Sequence, residues 1–404
     1  MDCRICGNKL THSFADLGMQ PPSNAYVDST KVGEQEIFFP LHAYVCEKCW
    51  LVQIDEHQKP DQIFTDYAYL SGVSKSWIDH CQEYTDMIIP HLHLNQDSRI
   101  VEIASNDGTL LKCFQQRGLT NVLGVEPAKN VAAIAIQRGV STEAVFFSDA
   151  YAKDACKVDL LIANNVLAHT PILHEFVAGI KSILAPKGVA TLEFPHVMRL
   201  IKGNQFDTIY QEHFSYFSLT TLDPVFRDHG LEIYAVQELP THGGSLRIFV
   251  RHETVTFGIE CAGVTSVLSA EFDAGITKLS TYTDFQKDID ATKWSLVNLL
   301  STEKLRGNHI VGYGAAAKGN TLLNYCGIKP DMLDYVVDRA ETKIGKLLPG
   351  SRIPVVAESE LCKTQPDFVL ILPWNLKWEI IEQLSYIRQW EGKFITPIPH
   401  LQVL

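Results

Sequence analysis

The chain has 404 residues, a length that points to two or three domains rather than one core. Its composition, 46% hydrophobic and 20% charged with no low-complexity run, is that of a soluble globular protein. A net charge of -12 leaves no broad basic surface for nucleic acid, and no apolar stretch reaches membrane-spanning length, so neither partner is expected.

At the N-terminus, MDCRICGNK lacks the apolar core of a secretory signal. Ten cysteines without such a signal point to a reducing compartment, and a cytoplasmic location is expected. Cys3-x-x-Cys6 and Cys46-x-x-Cys49 are two knuckles, each aiming two sulfurs at one point. Four thiolates satisfy tetrahedral zinc and leave no open position, so such a zinc is structural and folds a module whose core can hardly stand alone. The loop between the knuckles is longer than in most zinc ribbons. Cys81, Cys113, Cys156, Cys261, Cys326 and Cys362 lack this spacing and read as packing residues.

Further along, RIVEIA reads as a buried strand, NDG as a tight turn, and TLLKCFQQRG as a helix closed by glycine. NVLGVEP is a second strand ending in Glu126, at the position where a doubly wound fold sets an acid against a ribose. Asp107 and Gly108 sit where the chain must turn and a ligand approach the backbone. The loop departs from G-x-G-x-x-G, because Ala104, Ser105 and Asn106 stand in place of glycines. A pyrophosphate is poorly served there. The flanking acids Glu102 and Glu126 suit a cationic ligand without phosphates, which describes S-adenosylmethionine (SAM) better than NAD. The cofactor site is therefore assigned to Glu102, Ala104, Asn106, Asp107, Gly108 and Glu126, with Asn164 from IANNVLAHTP. Strands and helices keep alternating through STEAVFF, VDLLIANNVLAH, PILHEFVAGIKSILAPKG and VATLEFP, as a doubly wound sheet requires.

TIYQEHFSYFS then places Tyr210, Glu212 and His213 among aromatics. The residues alone fit either a reactive centre or a structural histidine, and Phe214, Tyr216 and Phe217 alternate as packing residues do. In THGGSLRIFV, Gly243, Gly244 and Ser245 form a turn into an apolar strand. Arg247 is a possible bidentate phosphate partner there, though glycines serving only the turn fit as well. Helices fill the stretch from about residue 255 to 300. A second strand–glycine turn–helix unit follows at HIVGYGAAAKGN, with further strands at LDYVVDR and DFVLILPW. Gly312 and Gly314 permit close approach of a phosphate, and Lys318 stands ready to neutralise it. A lone GxG also fits a turn without a ligand.

Together, CRICG with CEKCW, YAYLSGVSKSW, EIASNDGTLL, GVEPAKN, IANNVLAHTP, QEHFSYFSL, THGGSLRIFV, GYGAAAKGN and VVDRAETKIGKLLPGSRIPV resemble one family, in order over almost the whole chain. That family is the sugar-nucleotide C-methyltransferases, which add a methyl to carbon 3 of a 4-keto deoxysugar. The resemblance implies an α/β protein with an N-terminal zinc-binding module (1–60), a central doubly wound SAM-dependent methyltransferase domain (61–245) and a C-terminal Rossmann-like domain holding the sugar nucleotide (246–404).

Methylating a carbon beside a ketone requires an enolate, and a histidine titrating near neutrality suits removal of the α-proton. By resemblance His213 is that base, Tyr210 and Glu212 hold the sugar or the imidazole, and His169 is the second candidate for proton transfer or for the enolate oxygen. The expected substrate contacts are Tyr67, Tyr69, Gly244, Ser245, Arg247, Gly312, Gly314, Lys318 and Asn320. Two other functions compete. One is a nicotinamide-dependent oxidoreductase using the C-terminal glycine turn, disfavoured because three alanines and Lys318 replace the third glycine. The other is a non-catalytic scaffold bearing zinc. A monomer or weak homo-oligomer is the expected state.

Overall fold

The structure, a computed structural model, describes residues 1–64, 70–255 and 263–404. Tyr67, Tyr69 and Cys261 lie outside the described residues.

Near the N-terminus three antiparallel strands, His12–Gln20, Phe39–Val45 and Val52–Ile54, form a sheet. In Phe39–Val45 the residues Leu41, Ala43 and Val45 are buried and their neighbours are not, the period-2 pattern of a half-buried strand. A fourth strand, Ser215–Tyr216, joins from far along the chain and pairs with Val52 and Gln53. The segment that carries His213 is thereby fastened to the N-terminal module.

The central sheet has seven strands in the order Leu231–Leu239, Ser245–His252, Leu184–Pro195, Val158–Asn164, Ile100–Ile103, Val122–Val125, Thr142–Glu143. Ser245–His252 runs antiparallel to both of its neighbours, and the pairs from Leu184–Pro195 onward are parallel. It lies across the division expected at residue 245 and is bonded into this sheet. Ile100–Ile103 is buried at all four positions, as a strand covered on both faces should be. One face packs Ile100, Leu160 and Ile162 against Tyr84, Leu111 and Phe114. The other packs Val101, Ile103 and Leu161 against Phe176, Val177 and Ile180. From Ile100–Ile103 the chain winds outward to one side and then crosses to Val158–Asn164 on the other. This reversal opens a crevice at the carboxyl ends of those two strands, where doubly wound folds bind ligands.

The C-terminal sheet has the order Val355–Val356, Val336–Val337, Ile310–Tyr313, Phe368–Ile371, Lys393–Thr396, Gln402–Val403, parallel except at the last strand. The helices Val264–Asp273, Leu279–Thr283 and Phe285–Leu305 lead into it. Phe14, Leu17 and Leu41 of the N-terminal sheet share one core with Tyr282, Phe285 and Ile289 and with Leu322 and Val336 beyond them. The rings of Phe14 and Phe285 stack 4.9 Å apart. Val27–Asp28 also pairs with Lys346–Leu347. Burying each such Phe or Leu contributes about 1.5–3 kcal/mol, so the small module draws stability from the end of the chain. Among the described residues, no helix is long and apolar enough to cross a membrane.

Candidate active site and metal centre

The sulfurs of Cys3, Cys6, Cys46 and Cys49 all lie within 4.8 Å of one another, with Cys3 Sγ 3.3 Å from Cys49 Sγ and Cys6 Sγ 3.5 Å from Cys46 Sγ. Zinc–sulfur bonds of about 2.3 Å in a tetrahedron set sulfurs about 3.8 Å apart, so the donor set fits a zinc ion. The turns that bring the sulfurs together close with Gly7 N–H donating to the Cys3 carbonyl and Trp50 N–H to the Cys46 carbonyl, both at 2.9 Å. All four positions are protein thiols, so the metal is structural.

A cavity of about 770 Å³ opens at the carboxyl edge of the central sheet. Its lining comes from all three regions: Ala104, Asn106, Glu126, Asn164 and His169 from the central sheet, Asn24 and Lys59 from the N-terminal module, and Ala316, Ala317, Lys318 and Lys343 from the C-terminal end.

On the central side, Ala104 (φ 51°) and Asn106 (φ 50°) are left-handed and fold the loop back over the strand ends. Asn106 N–H donates to Glu126 Oε2 at 2.9 Å and Ala128 N–H to Oε1 at 2.8 Å, which aims this carboxylate. Burial raises its pKa against the pull of those two N–H groups. Asn164 Oδ1 is buried without a partner among the described residues. An acid and an orphaned acceptor at the strand ends suit a ligand rich in hydroxyl and ammonium donors, as SAM is.

Beside it, His213 Nδ1 lies 3.0 Å from the Thr208 carbonyl and Nε2 lies 2.8 Å from the Tyr210 hydroxyl. The His169 ring stands edge-on to His213, centroids 4.7 Å apart, with Nδ1 buried and unpartnered among the described residues. Burial, then the charge of His169, holds His213 well below the usual imidazole value, and burial lowers His169 to about 4. Both rings are neutral at pH 7. At the C-terminal wall burial lowers Lys318 to about 8, opposed by Asp207, and the ammonium lies over the Trp374 ring and bonds Asn375. Asp207 is fully buried, raised to about 7, and accepts from Trp374 Nε1 at 2.8 Å.

Three family models match successive stretches: a zinc binding domain over residues 3–64, a methyltransferase domain over 78–236 and a C-methyltransferase C-terminal domain over 240–399. C-methyltransferase NovU of Streptomyces niveus is 33% identical over 407 residues, covering 100% of this chain and 96% of NovU. The chain belongs to this C-methyltransferase family. It is a SAM-dependent enzyme with a structural zinc module. The oxidoreductase and scaffold readings give way to it. Two solved structures overlay on part of the chain. Magnesium protoporphyrin IX methyltransferase of Synechocystis PCC 6803 with bound SAM has a TM-score of 0.34 and 15% identity over 47% of this chain and 88% of that one. A SAM-dependent methyltransferase of Mesorhizobium loti has 0.34 and 14% over 43% and 99%. At these scores neither carries a functional argument.

In this methyltransferase the residues expected at the cofactor separate into two groups. Ala104, Asn106, Glu126 and Asn164 line the cavity, whereas Glu102, Asp107 and Gly108 do not. Glu102 is buried beneath the loop, and burial, with repulsion from Glu126 and Asp107, pushes its pKa well above the usual carboxylate value. Asp107 anchors the loop, held by Arg138 at 2.6 Å, Thr109 Oγ1 at 2.6 Å and Gly72 N–H at 3.0 Å. Gly108 (φ 77°) caps the helix Thr109–Gln116.

Of the expected catalytic set, His213, Tyr210 and His169 line the cavity, while Glu212 sits behind it and accepts from Asn24 Nδ2 at 2.6 Å. Of the expected substrate contacts within the described residues, Lys318 alone lines it. Arg247 is consumed internally, paired with Glu193 at 2.9 Å and lying over the Tyr84 ring. Ser245 Oγ donates to the Thr241 carbonyl at 3.0 Å, and Gly244 adopts φ 122° at the bend. A Cβ on Gly312 would lie 2.8 Å from Val336, and one on Gly314 2.3 Å from Pro373, so both glycines serve packing of the turn. Asn320 Nδ2 donates to the Ser23 carbonyl at 2.7 Å. Residues that the sequence reading missed include Asn24, Asn165, Thr208, His242 and Lys343. Thr208 opens TIYQEHFSYFS, Lys343 lies within VVDRAETKIGKLLPGSRIPV, His242 immediately precedes GGSLR and Asn165 adjoins Asn164, whereas Asn24 stood beside no signal.

Proposed function

We propose that this methyltransferase acts on carbon 3 of a nucleoside-diphosphate-linked 4-keto-6-deoxysugar, removing the proton beside the ketone before methylation, in biosynthesis of a branched-chain deoxysugar. The reading rests on the Tyr210–His213–Thr208 arrangement within the cavity. A carbonyl only accepts, so the proton of the neutral ring sits on Nδ1 and donates to Thr208. Nε2 then presents its lone pair to the Tyr210 hydroxyl. In the proposed step the Tyr210 oxygen takes the α-proton as its own proton passes to His213 Nε2, and the C–H electron pair moves into the enolate. A neutral imidazole is the form that accepts a proton, and burial keeps it so. Bound SAM supplies the electrophilic methyl. His169 Nδ1 is the second proton acceptor in the same scheme.

Ala104, Asn106, Glu126 and Asn164 are proposed to hold the methyl donor. Lys318 and Lys343, beside the N-terminus of the helix Ala317–Cys326, are proposed to hold the diphosphate. The scheme assigns zinc binding to 1–60, methyl transfer to 61–245 extended through His252, and sugar-nucleotide binding to the remainder. The test is solvent deuterium exchange at carbon 3 without the methyl donor. Wild type should exchange, His213→Asn should not, and His213→Ala should lose at least about 100-fold in kcat. Near-wild-type turnover by His213→Ala overturns the scheme.

A further inference from the structure

Of the left-handed non-glycine residues facing the cavity, two touch each other: Asn165 (φ 56°) and His242 (φ 53°). Such backbone is uncommon outside glycine and persists where the surroundings over-determine it. Here one residue anchors Asn165 and Thr241, the neighbour of His242. The backbone carbonyl of Glu193 accepts Asn165 N–H at 2.7 Å, and its Oε1 accepts the Thr241 hydroxyl at 2.8 Å. Glu193 is itself clamped by Arg247 at 2.9 Å and His80 at 2.8 Å. On the far side of His242, Gln205 Nε2 donates to the Gly243 carbonyl at 2.8 Å. The buried charge cluster that consumes Arg247 therefore fixes the strained pair.

Asn165 Nδ2 lies 3.4 Å from His242 Nε2, a long hydrogen bond. An amide nitrogen only donates, so Nε2 accepts and the ring proton is on Nδ1, which has no protein partner among the described residues. The ring is exposed and lines the cavity, while Asn165 Oδ1 is buried without a partner among the described residues. One donor on the ring and one acceptor on the touching amide are left without a partner among the described residues, and reversing the amide exchanges the two. His242 lines the same cavity as Lys318 of the C-terminal wall.

We propose that His242 and Asn165 read a hydroxyl group of the acceptor, held in register by Glu193, and so determine specificity. A hydroxyl accepts from the ring N–H and donates to the amide oxygen. An ammonium can only donate, and it leaves the ring N–H facing a positive charge. The inference rests on the acceptor class proposed above.

The test compares wild type, His242→Gly and Asn165→Gly on two 4-keto-6-deoxysugar nucleotides, one bearing a hydroxyl and one an amino group at carbon 3. Glycine suits the left-handed backbone, so both variants should keep or raise Tm and bind S-adenosylhomocysteine as wild type does. The expected result is a fall in kcat/KM of about 100-fold for the hydroxyl acceptor, with loss of its preference over the amino acceptor. Undiminished kcat/KM in both variants overturns the proposal, as does weakened S-adenosylhomocysteine binding with an unchanged acceptor KM. If His242→Gly lowers Tm, the Asn165→Gly result decides. Wild type inactive on both acceptors sinks the acceptor class and this inference with it. Active wild type with equally active variants sinks the inference alone.

Discussion

His213 and His169 stand 4.7 Å apart, and each charge would oppose the other. Burial is the larger cause, and both pKa values lie below the ordinary 6.5, His169 at about 4. A depressed folded pKa means that the unfolded chain takes up protons first. The stability these rings carry is therefore complete above about pH 6.5 and is lost as pH falls toward about 4. Activity follows the same sign: the acid limb of kcat should lie well below the ordinary imidazole value of 6.5, which a pH–rate profile would measure. A limb at 6.5 or above contradicts this. At the residue scale the sequence singled out side chains whose type and neighbours were distinctive, and His213, Glu126 and Lys318 among them line the cavity. It misdirected where a charged side chain finds its partner far along the chain. Arg247 looks like an anion ligand until the fold brings Glu193 to 2.9 Å from it.

Strand–turn–helix units were legible because apolar runs, turn residues and helical periodicity are local. RIVEIA contains the strand Ile100–Ile103, and TLLKCFQQ is the helix Thr109–Gln116. Pairing direction was not legible. Ser245–His252 is buried at all but its last position, and such a run looks the same whether its partners are parallel or antiparallel. The glycines of the C-terminal turn show the same limit. Gly314 at φ 88° has Pro373 where a Cβ would stand, so Gly314→Ala should destabilise by more than about 1 kcal/mol. Urea midpoints would measure it, and an unchanged midpoint would show that the turn does not need glycine.

The N-terminal module is neither an appendage nor self-sufficient. Its sheet shares a core with the helix Phe285–Leu305, and Asn24 and Lys59 reach the cavity. Removing zinc, by chelation or by Cys46→Ser, should lower Tm and also cut kcat/KM at least about 10-fold, since displaced cavity walls misplace the reactants. Zinc content, Tm and steady-state kinetics measured on one preparation would test the link. A lowered Tm with unchanged kinetics would confine the metal to stability.

By itself the sequence determined the zinc ligands and the alternating α/β architecture, because spacing and periodicity act between neighbours in the chain, and its motifs carried the resemblance to a methyltransferase family. Only the tertiary structure decided which polar residues face the cavity. Glu102, Asp107 and Glu126 were all assigned to the cofactor from sequence, yet Glu102 is buried beneath the loop, Asp107 is spent on anchoring it, and only Glu126 of the three lines the site. Asn24, Asn165 and His242 come from segments up to 218 residues apart. What joins them is the burial of apolar faces, a force without direction along the chain. The partner each polar group meets therefore exists only once those faces have packed.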